Sequence, residues 1–362
     1  MESLLVFSSF LVVIFLAISL QILFFSPISP EILDIPSSSN TFTSGFTSNS
    51  YLQRVNKLGE GFLDRPEDVV VDKMGIFYTA TRDGWIKRRH KNGTWESWKY
   101  IGRDSLLGLE ISSAGHIIVC DTEQGLLKVN EDGASILASH VNGEKIRFAD
   151  DVVEASDGNV YFSSASRKFG HHDWYLDVLE AKPHGQLLEY NPSSNHTSVL
   201  IDNLAFANGV ALSTNQDYLI VCETWKYRCL KYWLKGEIKG QTEIFVENLP
   251  GAPDNIKLAP DGSFWIALIE LSARGRNFVH KSRVTKHLLA TFPKLISWVN
   301  GAYHKAMVVN VATNGKIIKG FDDPIGKVMS LVTSVLEFEN HLYLGSLNCN
   351  FIGMLPLTTS VV

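Results

Sequence analysis

The chain has 362 residues, 45% hydrophobic, 20% charged and 11% aromatic, with a formal net charge of −5. That is an ordinary globular composition, able to form a core, and the mild acidity without a basic patch argues against a nucleic-acid partner. The four cysteines, Cys120, Cys222, Cys229 and Cys349, include no Cys-x-x-Cys zinc or redox spacing and do not suggest a disulfide-dependent scaffold.

Leu4 to Phe25 is a run of 22 residues without a charge, long enough to cross the roughly 30 Å hydrocarbon layer as a helix. Glu2 is the only charge before it and Arg54 the first Lys or Arg after it, so flanking charges do not orient it. Residues 1–25 read either as a retained signal anchor, which would tie the chain to a membrane, or as a signal peptide cut after Ala17-Ile-Ser19. Both readings send the rest into the secretory and endomembrane system: endoplasmic reticulum, vacuole or outside the cell. The sequons at Asn92 and Asn195 lie in polar, turn-like stretches and are expected to carry glycans there. Residues 26–50, rich in Ser, Thr and Pro, read as a linker.

From residue 51 to 362 a cassette of strand, turn and strand returns six times. Its clearest copy is Arg65 to Thr81, where Glu67-Asp68 opens an alternating apolar run, Gly75 turns it, and Ile76 to Thr81 runs back. Further copies begin at Leu107, Ala149, Ala207, Pro253 and Val332. Repetition at roughly 40 to 50 residues with about four strands per unit predicts an all-β fold, a six-bladed β-propeller. Between the cassettes lie outer-strand candidates such as Trp95 to Tyr100 and Leu126 to Asn130, and Leu52 to Leu58 is expected to close the ring on the last blade. Cys222 and Cys229 fall on neighbouring strands and could pair, while Cys120 reads as a small buried hydrophobe.

Two stretches break the rhythm. Ser282 to Val299 places Leu288, Leu289, Phe292, Leu295, Ile296 and Val299 at helical spacing around Pro293, either a lid or membrane-facing helix or a helix packed on the rim. Arg167 to Pro183 holds His171, His172, Asp173 and Trp174 and is a candidate pocket wall.

Because the repeats share one geometry, whatever opens each cassette converges on the axis. Those positions hold Glu67, Asp150, Asn208 and Asp254, with Asn255 beside the last. They are oxygen donors only, the mixture Ca²⁺ favours, with no His or Cys to suggest zinc or copper. Asp68 and Asp151, one residue on, read as strand caps. A calcium with open positions would serve hydrolysis of a small-molecule ester, lactone or phosphotriester; a closed one would be a structural plug. Candidate bases are His140, His171, His172 and His184, with His171 foremost because it sits in an insertion beside Trp174.

Phe206-Ala-Asn-Gly-Val-Ala-Leu-Ser213, Pro253-Asp-Asn-Ile256, Ala181 to Leu188, Arg147 to Asp151 and Leu342 to Leu347 resemble the plant strictosidine synthase-like family. These are six-bladed propellers related to the paraoxonases and to the adipocyte plasma membrane-associated protein, and the resemblance runs from about Tyr51 to Pro356. It implies a calcium held by Glu67, Asp150, Asn208 and Asp254-Asn255, with Asp150 standing where the hydrolases of this group have Asn. It also implies that the glutamate of true strictosidine synthases is replaced here by Thr333, whose hydroxyl is no general base near neutral pH. The paraoxonase histidine pair has no counterpart that can be placed, Asp121 lying in roughly that region. The expectation is therefore a calcium-dependent hydrolase of esters or lactones, with a non-catalytic binding scaffold as the alternative and a condensing synthase third.

Overall fold

Each predicted cassette folds into the two innermost strands of a four-stranded antiparallel sheet, and six such sheets form the blades of a propeller. The computed structural model of the chain describes residues 2–33, 47–102, 104–269, 279–295 and 305–357. The innermost strands are Val69–Val71, Leu106–Ile111, Ala149–Glu154, Ala207–Leu212, Ala252–Leu258 and Val332–Phe338. Each packs on the next around the axis, the last returning to the first. The sixth blade takes its outer strand from the start of the propeller: Asn56–Leu58 pairs antiparallel with Ile352–Met354, closing the ring. Leu52 to Arg54, expected to belong to that strand, lie instead in a turn of 3₁₀ helix, Tyr51–Arg54.

Inner strands are buried on both faces, so Ala207–Leu212 and Tyr218–Glu223 are buried at every position, whereas outer strands such as Thr242–Val246 carry an exposed stretch. The core is accordingly a ring of clusters lying between neighbouring blades. In one of them Ile220, Cys222 and Phe245 of the fourth blade meet Ile256, Phe264 and Val309 of the fifth. Cys222 and Cys229 face each other on adjacent strands and form a disulfide, and Cys120 is a buried free thiol inside another cluster.

The inner hairpins share one irregularity that matters for function. Pairing slips by a bulge between Ala149 and Val152, between Ala207 and Val210, and between Pro253 and Ile256. A bulge sets two residues of one strand against one of its partner and re-aims their side chains. Here the re-aimed residues include Asp150, Asn208, Asp254 and Asn255. In the first blade Glu67 and Asp68 stand just ahead of Val69, with the Glu67 amide bonded to Ala80 O at 3.0 Å.

The starts of the inner strands and the ends of the second strands lie on one face of the ring, and the rhythm-breaking insertions rise from that face. Helix α1 is Glu2–Phe25, helix α2 is Trp174–Glu180 in the third blade, and helix α3 is Arg283–Thr291 in the fifth. Helix α3 packs on α2 through Leu289 and Ala290 against Leu176 and Leu179. Pro293 starts a separate 3₁₀ turn in which Leu295 is exposed; Ile296 and Val299 of the expected stripe lie outside the described residues.

The stretch read as a linker begins instead as part of this cap. Ile28 is buried in the same cluster as Leu289, the amides of Ser29 and Glu31 bond to Glu180, and buried Lys286 donates to Glu31 O. Helix α1 leaves Phe7, Phe10, Phe15 and Phe24 exposed. Among the described residues no helix is long and apolar enough to cross a membrane, so the anchor reading of residues 1–25 rests on sequence.

Candidate functional site at the propeller mouth

The mouth leads into a cavity of ≈ 390 Å³ whose floor includes Glu67, Asp150, Asn208 and Asp254. All four are at most 7% exposed, and Asn255 beside them is fully buried. Asn255 Nδ2 donates to Glu67 Oε1 at 3.0 Å, and the Asn208 carboxamide favours the ionised form of Asp254. Among the described residues, Glu67 Oε2, Asn208 Oδ1 and Asn255 Oδ1 remain buried without a partner. Orphaned buried oxygens are costly, and three in one cluster are what a bound cation would satisfy.

Charge repulsion points the same way. Burial pushes Glu67 and Asp150 well above the usual carboxylate range, with neighbouring acids adding to it. Asp254 is pushed up to about 8, first by burial and then, against the Asn208 carboxamide, by Asp151 and Asp68. A cation would hold the three ionised. Among the described residues no group of three or more His, Cys, Asp and Glu side chains stands close enough to be a metal cage. The set that could hold an ion is completed by the carboxamides of Asn208 and Asn255.

Below the floor lies a second polar layer. Lys257 Nζ sits 2.8 Å from Asp68 Oδ2, 3.2 Å from Leu109 O and 3.9 Å from Asp151 Oδ1. Burial alone would lower the Lys257 pKa, but Asp68, Asp151 and Glu110 outweigh it and raise it. Asp68 and Asp151 are more than the strand caps expected of them. Each accepts from the next residue in its own strand, Val69 N at 2.8 Å and Val152 N at 2.9 Å. Each also accepts from the neighbouring blade, Leu109 N and Val210 N, both at 2.9 Å. They pin blade to blade, and Lys257 ties the two pins together. Close packing of the inner strands requires Gly209 after Asn208: a Cβ there would stand 2.5 Å from Asp254 O.

The walls of the cavity come from loops that follow second strands or precede inner ones. Phe148, Trp174, Phe206 and Trp225 form an aromatic side, with Phe206 and Trp225 ring centroids 4.5 Å apart. The opposite charge to the floor is supplied by Arg82, just after the second strand of the first blade, and by Arg65 at the rim. Sequence reading missed both arginines and three of these aromatics. The available signal was position, since Arg82 and Trp225 directly follow second strands that run toward the mouth.

His171 lies in the cavity wall and is buried. Its Nε2 pairs with Arg82 Nη2, its Nδ1 has no partner among the described residues, and burial followed by the Arg82 charge pushes its pKa down to about 3. It is a neutral imidazole accepting from a guanidinium. His172 also lines the cavity; His184 bonds to Glu180 at 3.0 Å and His140 is exposed on a short hairpin. Thr333 lines the cavity with its hydroxyl donating to Glu67 O at 2.7 Å. Asp121 is bound up in a turn, accepting from Ser105 Oγ at 2.7 Å and from Glu123 and Gln124 amides. Asn92 and Asn195 are both exposed.

Two family descriptions match the chain: strictosidine synthase over residues 150–237 and the strictosidine synthase-like N-terminal region over residues 45–89. Protein STRICTOSIDINE SYNTHASE-LIKE 4 of Arabidopsis thaliana is 33% identical, over 86% of this chain and 84% of its own. The adipocyte plasma membrane-associated protein of Rattus norvegicus is 30% identical, over 92% of this chain and 93% of its own. Among solved structures, a gluconolactonase from Xanthomonas campestris superposes with a TM-score of 0.61 at 12% identity, covering 92% of this chain and 96% of that one. A luciferin-regenerating enzyme superposes with a TM-score of 0.55 at 15% identity, covering 83% and 93%. At such identities the likeness is one of fold.

Proposed function

The chain belongs to the strictosidine synthase-like family, and on that premise we propose that it is a calcium-dependent hydrolase of small esters or lactones. One observation carries the reading: the unpartnered buried oxygens of Glu67, Asn208 and Asn255, gathered with Asp150 and Asp254 at the floor of the mouth cavity. The donor set is all oxygen, part anionic and part carboxamide, which suits Ca²⁺. When bound, such an ion supplies Lewis acidity toward a carbonyl oxygen. The aromatic side formed by Phe148, Trp174, Phe206 and Trp225 binds the apolar body of a substrate and keeps water from its far side. His171, the candidate for taking a proton from the attacking water, would first have to release Arg82: while Nε2 accepts from that guanidinium, the neutral ring carries its hydrogen on Nδ1, and proton transfer is the weak part of the machinery.

Strictosidine-type condensation is disfavoured because Thr333 stands where that reaction needs a carboxylate, and its hydroxyl is already committed to Glu67 O. The same shortage of a ready base supports the second reading, a binding scaffold whose ion is structural. We also propose a secretory or endomembrane location, supported by the apolar 1–25 segment, the exposed sequons and the Cys222–Cys229 disulfide.

The test is hydrolysis of a simple aryl ester and an aromatic lactone by the purified protein, with Ca²⁺ and after chelation. Turnover that needs Ca²⁺ and disappears in Asn208→Ala, with the melting temperature preserved, is the expected result. Bound calcium with no turnover on a broad ester panel would replace the hydrolase reading with the scaffold.

A further inference from the structure

Hydrolysis of a neutral ester makes no use of Arg82 in the wall of the mouth cavity. Its guanidinium is buried, 7% exposed, in a wall of the cavity. Of its three nitrogens, Nη2 meets the neutral ring of His171. Nε lies 2.9 Å from Asp104 Oδ1, an ion-pair distance, but off the line a hydrogen bond requires. Nη1 has no partner. A buried guanidinium stays charged, and an unmet N–H edge on it is costly unless a ligand or water completes it. Arg82 offsets part of the charge of Asp150 on the floor, but it does not pin the blades, which are held lower down by Asp68, Asp151 and Lys257.

We propose that Arg82 is a specificity residue that recognises a carboxylate, so that the cavity takes small aromatic or apolar molecules bearing one carboxylate group. The planar fork of arginine matches a carboxylate's two oxygens. His171 and Asp104 hold that fork from two sides, and Arg65 at the rim adds positive charge on the same approach. The carboxylate would lie toward Arg82 while the apolar body stacks on the aromatic side. A monoanion suits the site better than a dianion, because Glu67, Asp150 and Asp254 stand on the floor of the same cavity. The inference names the substrate class of the proposed hydrolase and rests on that reading only in placing the reacting carbonyl over the floor.

The experiment measures binding, not turnover, so it stands whether or not the protein hydrolyses anything. 3-Phenylpropionate, its uncharged amide and phenyl phosphate are titrated into the full chain, followed by the fluorescence of Trp174 and Trp225, in Ca²⁺ and again after chelation. The carboxylate is expected to bind at least about ten-fold tighter than the amide, the size of one charge-assisted hydrogen bond, and tighter than phenyl phosphate. Arg82→Gln should abolish that preference by weakening the carboxylate far more than the amide, while Arg82→Lys keeps part of it. Equal binding of carboxylate and amide to the unaltered protein overturns the proposal without any variant. So does a preference that survives Arg82→Gln and vanishes on chelation, which would put the anion on the metal. Tighter binding of phenyl phosphate would assign the wall to phosphates instead.

Discussion

Replacing Lys257 with Met, which keeps the length of the chain and removes its charge, should destabilise the propeller without touching the mouth cavity. At an effective dielectric of about 20 the ammonium gains roughly 6 kcal/mol from Asp68 at 2.8 Å and roughly 4 kcal/mol from Asp151 at 3.9 Å. Much of that is offset by the desolvation of a side chain only 12% exposed. Breaking a buried pair on one side costs about 3–5 kcal/mol net, since the carboxylates stay buried without their counter-charge. Because each acid keeps two backbone N–H donors, the lower end is expected. At about 2 °C per kcal/mol for a domain of this size the melting temperature should fall by about 6 °C. Scanning calorimetry with a chelator present, so that no divalent ion takes the ammonium's place, is the assay. A fall below about 2 °C would mean that Lys257 does not hold the two inter-blade pins together.

Lys286, fully buried in the cap, has its pKa lowered to about 8 by burial, with Glu31 opposing. The folded state then binds fewer protons than the unfolded one between about pH 8 and 10.4, so stability rises with pH across that window. Lys286→Met should flatten this rise relative to the parent, read as melting temperature against pH, and an unchanged slope would contradict it. Removing the Cys222–Cys229 disulfide by a double Cys→Ala change opens a loop closed over a separation of 7 residues. That should cost about 2–3 kcal/mol in denaturant unfolding; no change in midpoint would show that the bridge adds nothing. If the chain enters the secretory pathway, Asn92→Gln and Asn195→Gln should each remove one glycan-sized step in gel mobility, and a parent insensitive to glycosidase would contradict that route.

The repeat made the fold readable, because hairpins that each need burial on both faces have few ways to satisfy it together. The convergence of Glu67, Asp150, Asn208 and Asp254 was legible for the same reason: equivalent positions in a ring lie at equal depth. What was not legible depends on contacts between distant segments. Nothing local to Lys257 announces that it reaches Asp68, 189 positions away in sequence, and Asp68 looks like a strand cap until Leu109 is seen donating to it from the next blade. Arg82 reads as an ordinary polar residue after a strand; only the fold turns that loop into a cavity wall. Residues 26–33 look like linker because their few apolar side chains make no core alone, and Ile28 is buried only once α2 and α3 have come together.

If a cation sits at the floor of the mouth, Ca²⁺ titrated calorimetrically into metal-stripped protein should bind saturably, raise the melting temperature and lose its site in Asp254→Ala. Absence of binding in the unaltered chain, or binding unchanged by Asp254→Ala, would contradict it.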